Sequence, residues 1–226
     1  GELAISYNLS ADYYAKKYQF SINIFRTNLE DKIQFSPADD EVKKFGYSYQ
    51  WENVDDAYVQ GVELGAKANL FRNFNAGINW TFNQGKFKHE RADWSDPNDE
   101  TVKEFPQRLQ YAKDSRNISR FPAMTGDIDL DYTPGTWTFS LTSSLQGRMF
   151  IDYNSEDDGA TSKIKKTNTF MIFNCRAAKR FGTCTVYAGA KNIFSYIQDE
   201  KHTDDAAFMY APVYGATWYV GLSVKL

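Results

Sequence analysis

The residues that most often carry chemistry are scarce in this chain. Its 226 residues hold two cysteines, Cys175 and Cys184, and two histidines, His89 and His202. The histidines lie far apart in stretches that read as solvated loops, which leaves no histidine-based zinc or haem site. No nucleophile, base and orienting acid come together, so hydrolysis is not indicated and no catalytic residue, metal ligand or cofactor is assigned. Long apolar runs are missing too. Nothing approaches the roughly 20 residues of a membrane helix, which excludes a helical membrane protein. Charge of one sign is also absent: 26 basic against 29 acidic residues give a net charge of −3, and the basic ones are scattered, so nucleic acid is not a partner.

Against these absences stands a strong period of two. Trp218, Val220, Leu222, Val224 and Leu226 share one face of a last strand, with Tyr219, Gly221, Ser223 and Lys225 on the other. Val62 to Leu70 and Phe74 to Phe82 alternate in the same way across a tight turn at 71–73 and read as a hairpin. Leu3 to Leu9 and Tyr18 to Ile24 flank a turn near Ala15 and Lys16, and Gly126 to Tyr132 and Trp137 to Leu141 flank Pro134-Gly135. A final, less regular hairpin covers Phe170 to Phe181 and Cys184 to Asn192. Nine such stretches make the chain all-β and antiparallel. A sheet that meets lipid on one face and water on the other is written this way, and the negative mean hydropathy does not oppose it, because every second residue is polar. The 16% aromatic share fits interfacial girdles, with Trp80, Trp137 and Trp218 as candidates.

The connections alternate in length. Those near 14–17, 71–73, 133–136 and 180–182 are tight, whereas about 31–52, 90–118, 152–165 and 194–214 read as long loops. In transmembrane barrels short turns are periplasmic and long loops extracellular. A soluble β-sandwich does not ordinarily combine tight and very long connections in this order. Cys175 and Cys184 read as small residues of the apolar face, with a cross-strand disulfide as the alternative. The carboxylates of Asp152 to Gly159 could hold Ca²⁺, but the glycine is misplaced for an EF-hand loop and solvation is the simpler reading. A first strand entering a short turn starts outside, while complete barrels have an even strand count and periplasmic ends. The chain, opening at Gly1 without a leader segment, is therefore expected to be one domain's C-terminal portion.

Three segments resemble a known family. Asn53-Val54-Asp55-Asp56-Ala57-Tyr58-Val59-Gln60-Gly61-Val62-Glu63-Leu64 is similar to the "NV..A.I.GVE" strand of TonB-dependent outer-membrane receptors, Lys191-Asn192-Ile193-Phe194-Ser195-Tyr196 to their "KNLF...Y", and Gly215 to Leu222 to their last strand "GRTFYVGL". The resemblance implies a 22-stranded barrel in a Gram-negative outer membrane, contacting lipid and carrying a plug and TonB-contact segment outside residues 1–226. It implies uptake of a scarce nutrient, a ferric siderophore or cobalamin, energised through TonB. A passive porin or adhesive barrel is the alternative. Tyr47, Tyr49, Trp51, Trp94, Tyr153, Tyr210 and Tyr214 are the aromatic candidates for stacking on a flat ligand, with packing between loops the competing role.

Overall fold

The computed structural model describes residues 1–37, 40–47, 49–89, 116–155, 161–198 and 210–225. Nine strands form one sheet in the order β1 (Leu3–Tyr14), β2 (Tyr18–Pro37), β3 (Tyr49–Phe71), β4 (Phe74–Phe87), β5 (Met124–Tyr132), β6 (Trp137–Gln146), β9 (Phe170–Phe181), β10 (Cys184–Lys191) and β11 (Thr217–Val224). β7 (Phe150–Ser155) and β8 (Thr161–Lys166) form a separate hairpin, and one helical turn, α1 (Asp40–Lys43), lies between β2 and β3. The nine-stranded, antiparallel expectation holds.

Two stretches expected to be loops carry strand. Within 31–52, β2 continues to Pro37 and β3 already begins at Tyr49. Asp31 sits at a positive φ of 54° and its amide bonds the Asp56 carboxylate, so the period of two is interrupted there and the continuation is hidden. Within 152–165, β7 and β8 pair from Phe150↔Lys166 to Ser155↔Thr161. These short strands are mostly polar and leave no amphipathic signature. Glu156 to Gly159 of the acidic stretch lie outside the described residues.

The tight turns follow from their sequence. Asn73, Gly135 and Gly182 adopt φ of 66°, 62° and 60°, the left-handed region that Asn and Gly tolerate and that short hairpins demand. Register then fixes the faces. Ile78↔Ile128, Leu130↔Leu141, Leu141↔Cys175 and Ala188↔Val220 share one face, while Asn79↔Asp127, Asp129↔Thr142 and Asp131↔Ser140 share the other.

The apolar face is open. In β1, Ile5 and Leu9 are exposed, and separately Val220 is 80% exposed on a face shared with Phe139 and Leu222, with Phe20, Ile24 and Leu64 likewise exposed. Buried apolar side chains among the described residues are only Ala57, Phe87, Met149, Ile151, Phe170, Ala178 and Ala190. A sandwich would bury this face against a second sheet; a face of this extent requires an apolar medium or partner. Cys175 and Cys184 are both free, and both lie on this face. Cys184 pairs with Phe181 while Cys175 pairs with Ala190, which separates them by about 20 Å along the strands, and the disulfide is ruled out.

Tertiary contacts group the chain into two compact units. One comprises Gly1–Leu9, Phe25–Gly61 and Gln84–Phe121, the other Ser10–Ile24, Val62–Asn83 and Pro122–Leu226. In the second unit, large rings cover glycines on the neighbouring strand. Trp80 lies so close over Gly126 that a Cβ there would come within 2.6 Å of the indole. On the polar face the arrangement is reciprocal: Tyr219 covers Gly189 and Tyr187 covers Gly221, each the residue directly opposite. The two tyrosines meet edge to face at 6.4 Å, and the Arg176 guanidinium sits 4.6 Å from the centre of the Tyr187 ring. Gly221→Val should displace Tyr187 and lower stability by about 1–3 kcal/mol in a urea titration, the usual cost of overpacking. Gly135→Asn, at a turn with open space around it, should leave the midpoint within experimental error.

Candidate functional site

The most completely built polar site lies in the second unit, where the chain leaves β10 and returns to β11. Asn192 turns the backbone with φ of 52°, which asparagine tolerates. It is buried, and its side chain is fully used. Oδ1 accepts the Tyr196 amide at 2.9 Å, while Nδ2 donates to the carbonyls of Tyr196 at 2.7 Å and Tyr214 at 3.1 Å. Its own amide donates to Asn174 Oδ1 at 3.0 Å, and the Asn174 amide group donates to Thr142 on β6.

Gln198 is a second anchor, 1% exposed. Its Oε1 accepts the amides of Tyr210 at 2.9 Å and Ala211 at 3.2 Å, and its own amide donates to the Pro212 carbonyl. Outgoing and returning segments are thus clamped twice. The clamp positions an aromatic cluster: Phe170 stacks on Tyr196 at 5.0 Å and meets Tyr210 at 6.2 Å. Beside it is a concavity of about 480 Å³ in which Phe170, Ile172, Tyr210 and Pro212 face Thr125, Ser144 and Gln146. Ser144 donates to Asp127, and Gln146 donates to the Tyr210 carbonyl at 3.3 Å. Apolar walls with a few convergent polar groups can hold a small, partly aromatic ligand.

The first unit presents a different arrangement. Arg26 lies 4.5 Å from the Tyr58 ring centre and donates to Asn28 and to Gln60, which donates on to Gln84. Lys88 pairs with Asp56 at 3.1 Å. The Asp31 amide donates to the Asp56 carboxylate at 3.1 Å, on the other oxygen from Lys88. The pair is exposed, so solvent screens it. Among the described residues no group of three potential metal ligands gathers.

Of the aromatic candidates, Tyr210 is half-buried in the cluster, and Tyr214 has its carbonyl in the Asn192 clamp while its ring is exposed. Tyr47 and Trp51 are exposed in the first unit. Tyr49 begins β3 and Tyr153 lies on β7, opposite Lys163. Trp94 falls outside the described residues, as does His202. Sequence reasoning misses Phe170, Asn192, Tyr196 and Gln198 as site residues; the segment Lys191–Tyr196 is the one signal that points towards them.

Comparison with known proteins decides the assignment. The family model described as TonB dependent receptor-like, beta-barrel matches residues 2–193. The chain belongs to that family. Members of the TonB-dependent receptor family are transporters, not enzymes. Among solved structures, 98% of the chain matches 32% of the copper transporter OprC at 20% identity and a TM-score of 0.65. It matches 31% of the unliganded ferric citrate transporter FecA over 97% of its length, at 18% identity and a TM-score of 0.67. It matches 31% of the siderophore receptor PirA from Acinetobacter baumannii over 98% of its length, at 15% identity and a TM-score of 0.68. At these identities the likeness is one of fold, and the chain spans 31–32% of the length of these structures.

The TonB-dependent receptor match ends at 193, so it includes Asn192 but not Tyr196, Gln198 or Tyr210. Asn192→Ala removes the partner of one amide and two carbonyls and places alanine at positive φ. It should cost about 2–4 kcal/mol in urea unfolding. Gln198→Ala should accelerate hydrogen exchange at the Tyr210 and Ala211 amides while protection in β5 and β6 stays unchanged.

Proposed function

We propose that the protein carrying this chain is an outer-membrane receptor of a Gram-negative bacterium that takes up a ferric chelate, or alternatively a corrinoid, by coupling to TonB. Residues 1–226 form the C-terminal portion of its barrel wall, and the plug and TonB-contact segment lie in other parts of the protein. The family match across residues 2–193 carries this reading. The open apolar face supports membrane insertion, and the aromatic cluster around Tyr210 supports a ligand with a flat face. Several of the matched structures bear the names of ferric-chelate receptors, which favours iron among the possible cargoes. Tyr210 supplies first contact together with Tyr214; Tyr47, Tyr49, Trp51, Trp94 and Tyr153 are the further aromatic candidates.

Uptake of radiolabelled ferric chelate by cells expressing the full-length protein should require the proton-motive force and TonB, and Tyr210→Ala should weaken binding about ten-fold, the scale of one lost aromatic contact. Solute entry that persists without TonB and after an uncoupler would replace the receptor with a passive pore.

The membrane part of this reading has its own test. Ile78 faces outward opposite Ile128, and Asn79 lies on the polar face opposite Asp127. Arg at Ile78 should cost roughly 2–4 kcal/mol in a lipid refolding titration if the site is near the bilayer midplane, and Arg at Asn79 should cost little. Equal costs would overturn the facing.

A further inference from the structure

The edge of the sheet that carries the tight turns has a charge pattern that nutrient uptake does not account for. Backbone hydrogen bonds join each turn to the next. The Asn69 amide donates to the Lys17 carbonyl at 2.8 Å, Thr133 to Asn73 at 2.8 Å, Arg180 to Thr136 at 2.9 Å and Lys225 to Thr183 at 2.9 Å. The turns are therefore one continuous rim. Its charged side chains are Lys16, Lys17, Arg72, Lys179, Arg180 and Lys225, and no Asp or Glu occurs in 15–18, 71–73, 133–137 or 179–183. The segments of the chain between the turns are by contrast acidic, as in Asp96 to Glu100 and Glu156 to Asp158.

Just inside the rim runs a row of rings. Phe71 stacks on Phe74 at 4.7 Å, Phe74 meets Tyr132 at 6.3 Å, Tyr132 meets Phe139 at 6.5 Å, and Phe139 stacks on Trp137 at 5.6 Å. Phe71, Tyr132, Phe139 and Trp137 are all exposed on the apolar face. The Lys179 ammonium sits at the end of the row, 4.7 Å from the Trp137 ring centre and 5.1 Å from that of Phe181. Two rings thus hold a cation on the apolar face beside the tight turns.

We propose that this rim is a docking belt for anionic phospholipid headgroups, with Lys179 and Arg72 contacting the phosphodiester and Phe71, Tyr132 and Trp137 lying at the glycerol level. The inference rests on the reading that the strands span a bilayer. Two features select this occupant. Lys179 and Arg72 make no ion pair among the described residues, and the rim is continuous with the face that requires an apolar medium. A soluble acidic partner would need the cations below the turns, whereas Lys179 is held on the wall beside Trp137.

The test uses the full-length protein incorporated into vesicles of equal phosphatidylcholine and phosphatidylglycerol, with one lipid or the other brominated. Tryptophan quenching then reports which lipid lies against the wall, and the share lost in Trp137→Phe is that of the rim. Wild type should prefer the anionic lipid about three- to ten-fold at Trp137, a preference that about 1 M salt removes by screening. Arg72→Gln with Lys179→Gln should bring the ratio to one. If that pair fails to fold, Lys16→Gln with Lys17→Gln should lower it in part. No preference in wild type, or a preference that survives salt and both pairs, overturns the proposal while leaving the receptor reading intact. Failure of wild type to enter either lipid overturns the membrane reading itself.

Discussion

Backbone pairing between neighbouring strands is the interaction on which the rest depends. An unpaired amide or carbonyl facing hydrocarbon costs several kcal/mol, so a wall that meets lipid must be hydrogen-bonded along its length. β5 shows the consequence for side chains. It is paired on both sides, with β4 and with β6, and the register Asp127↔Asn79, Asp129↔Gly77 and Asp131↔Asn75 sends all three carboxylates to the polar face. A slip of one residue would turn all three towards the apolar side. Ser140 and Ser144 donate to Asp131 and Asp127, which ties the acids to the face they already occupy. Register, facing and charge are one constraint here.

The two ends of the strands answer that constraint differently. At the tight-turn end the backbone closes on itself with left-handed Asn73, Gly135 and Gly182, and little side-chain chemistry is needed. Beyond β10 the strand pairing stops before the chain returns, and side chains take over the bonding. Asn192 and Gln198 satisfy amides and carbonyls that no neighbouring strand reaches. Aromatic rings are presented where backbone order is supplied by side-chain amides, an arrangement that leaves the segment free to vary without disturbing the ladder.

The nine strands of the main sheet, their facing and the tight turns were legible in the sequence because each depends on a local rule: a period of two, or Asn and Gly in turns. The long connections were legible only as interruptions of that period. β7 and β8 escaped because FIDYNS and TSKIKK are short and mostly polar, too brief to show a period of two even though Ile151 is buried. The end of β2 escaped because Asp31 breaks the count at a bond to Asp56, 25 residues away. The clamp was half visible: Asn192 belongs to a segment that could be singled out, but Gln198 is an ordinary polar residue until Tyr210 and Ala211 return to it.

Aromatic residues show why the site was harder to read than the wall. Trp80, Tyr187 and Tyr219 are spent covering glycines, Phe71, Tyr132 and Trp137 form the ring row at the turn edge, and Phe170, Tyr196 and Tyr210 make the cluster beyond β10. Nothing in the identity of a Tyr or Trp separates these roles; the residue across the register does. A ring opposite glycine is held in place because the missing side chain gives it a seat on the neighbouring strand. A ring beside a turn, with another ring opposite, has one edge open to the boundary between apolar and polar surroundings. A ring with no strand partner at all, such as Tyr210, is left to be positioned by polar clamps. Aromatic candidates are therefore best ranked by what stands opposite them, which places Tyr210 ahead of any ring lying over a glycine.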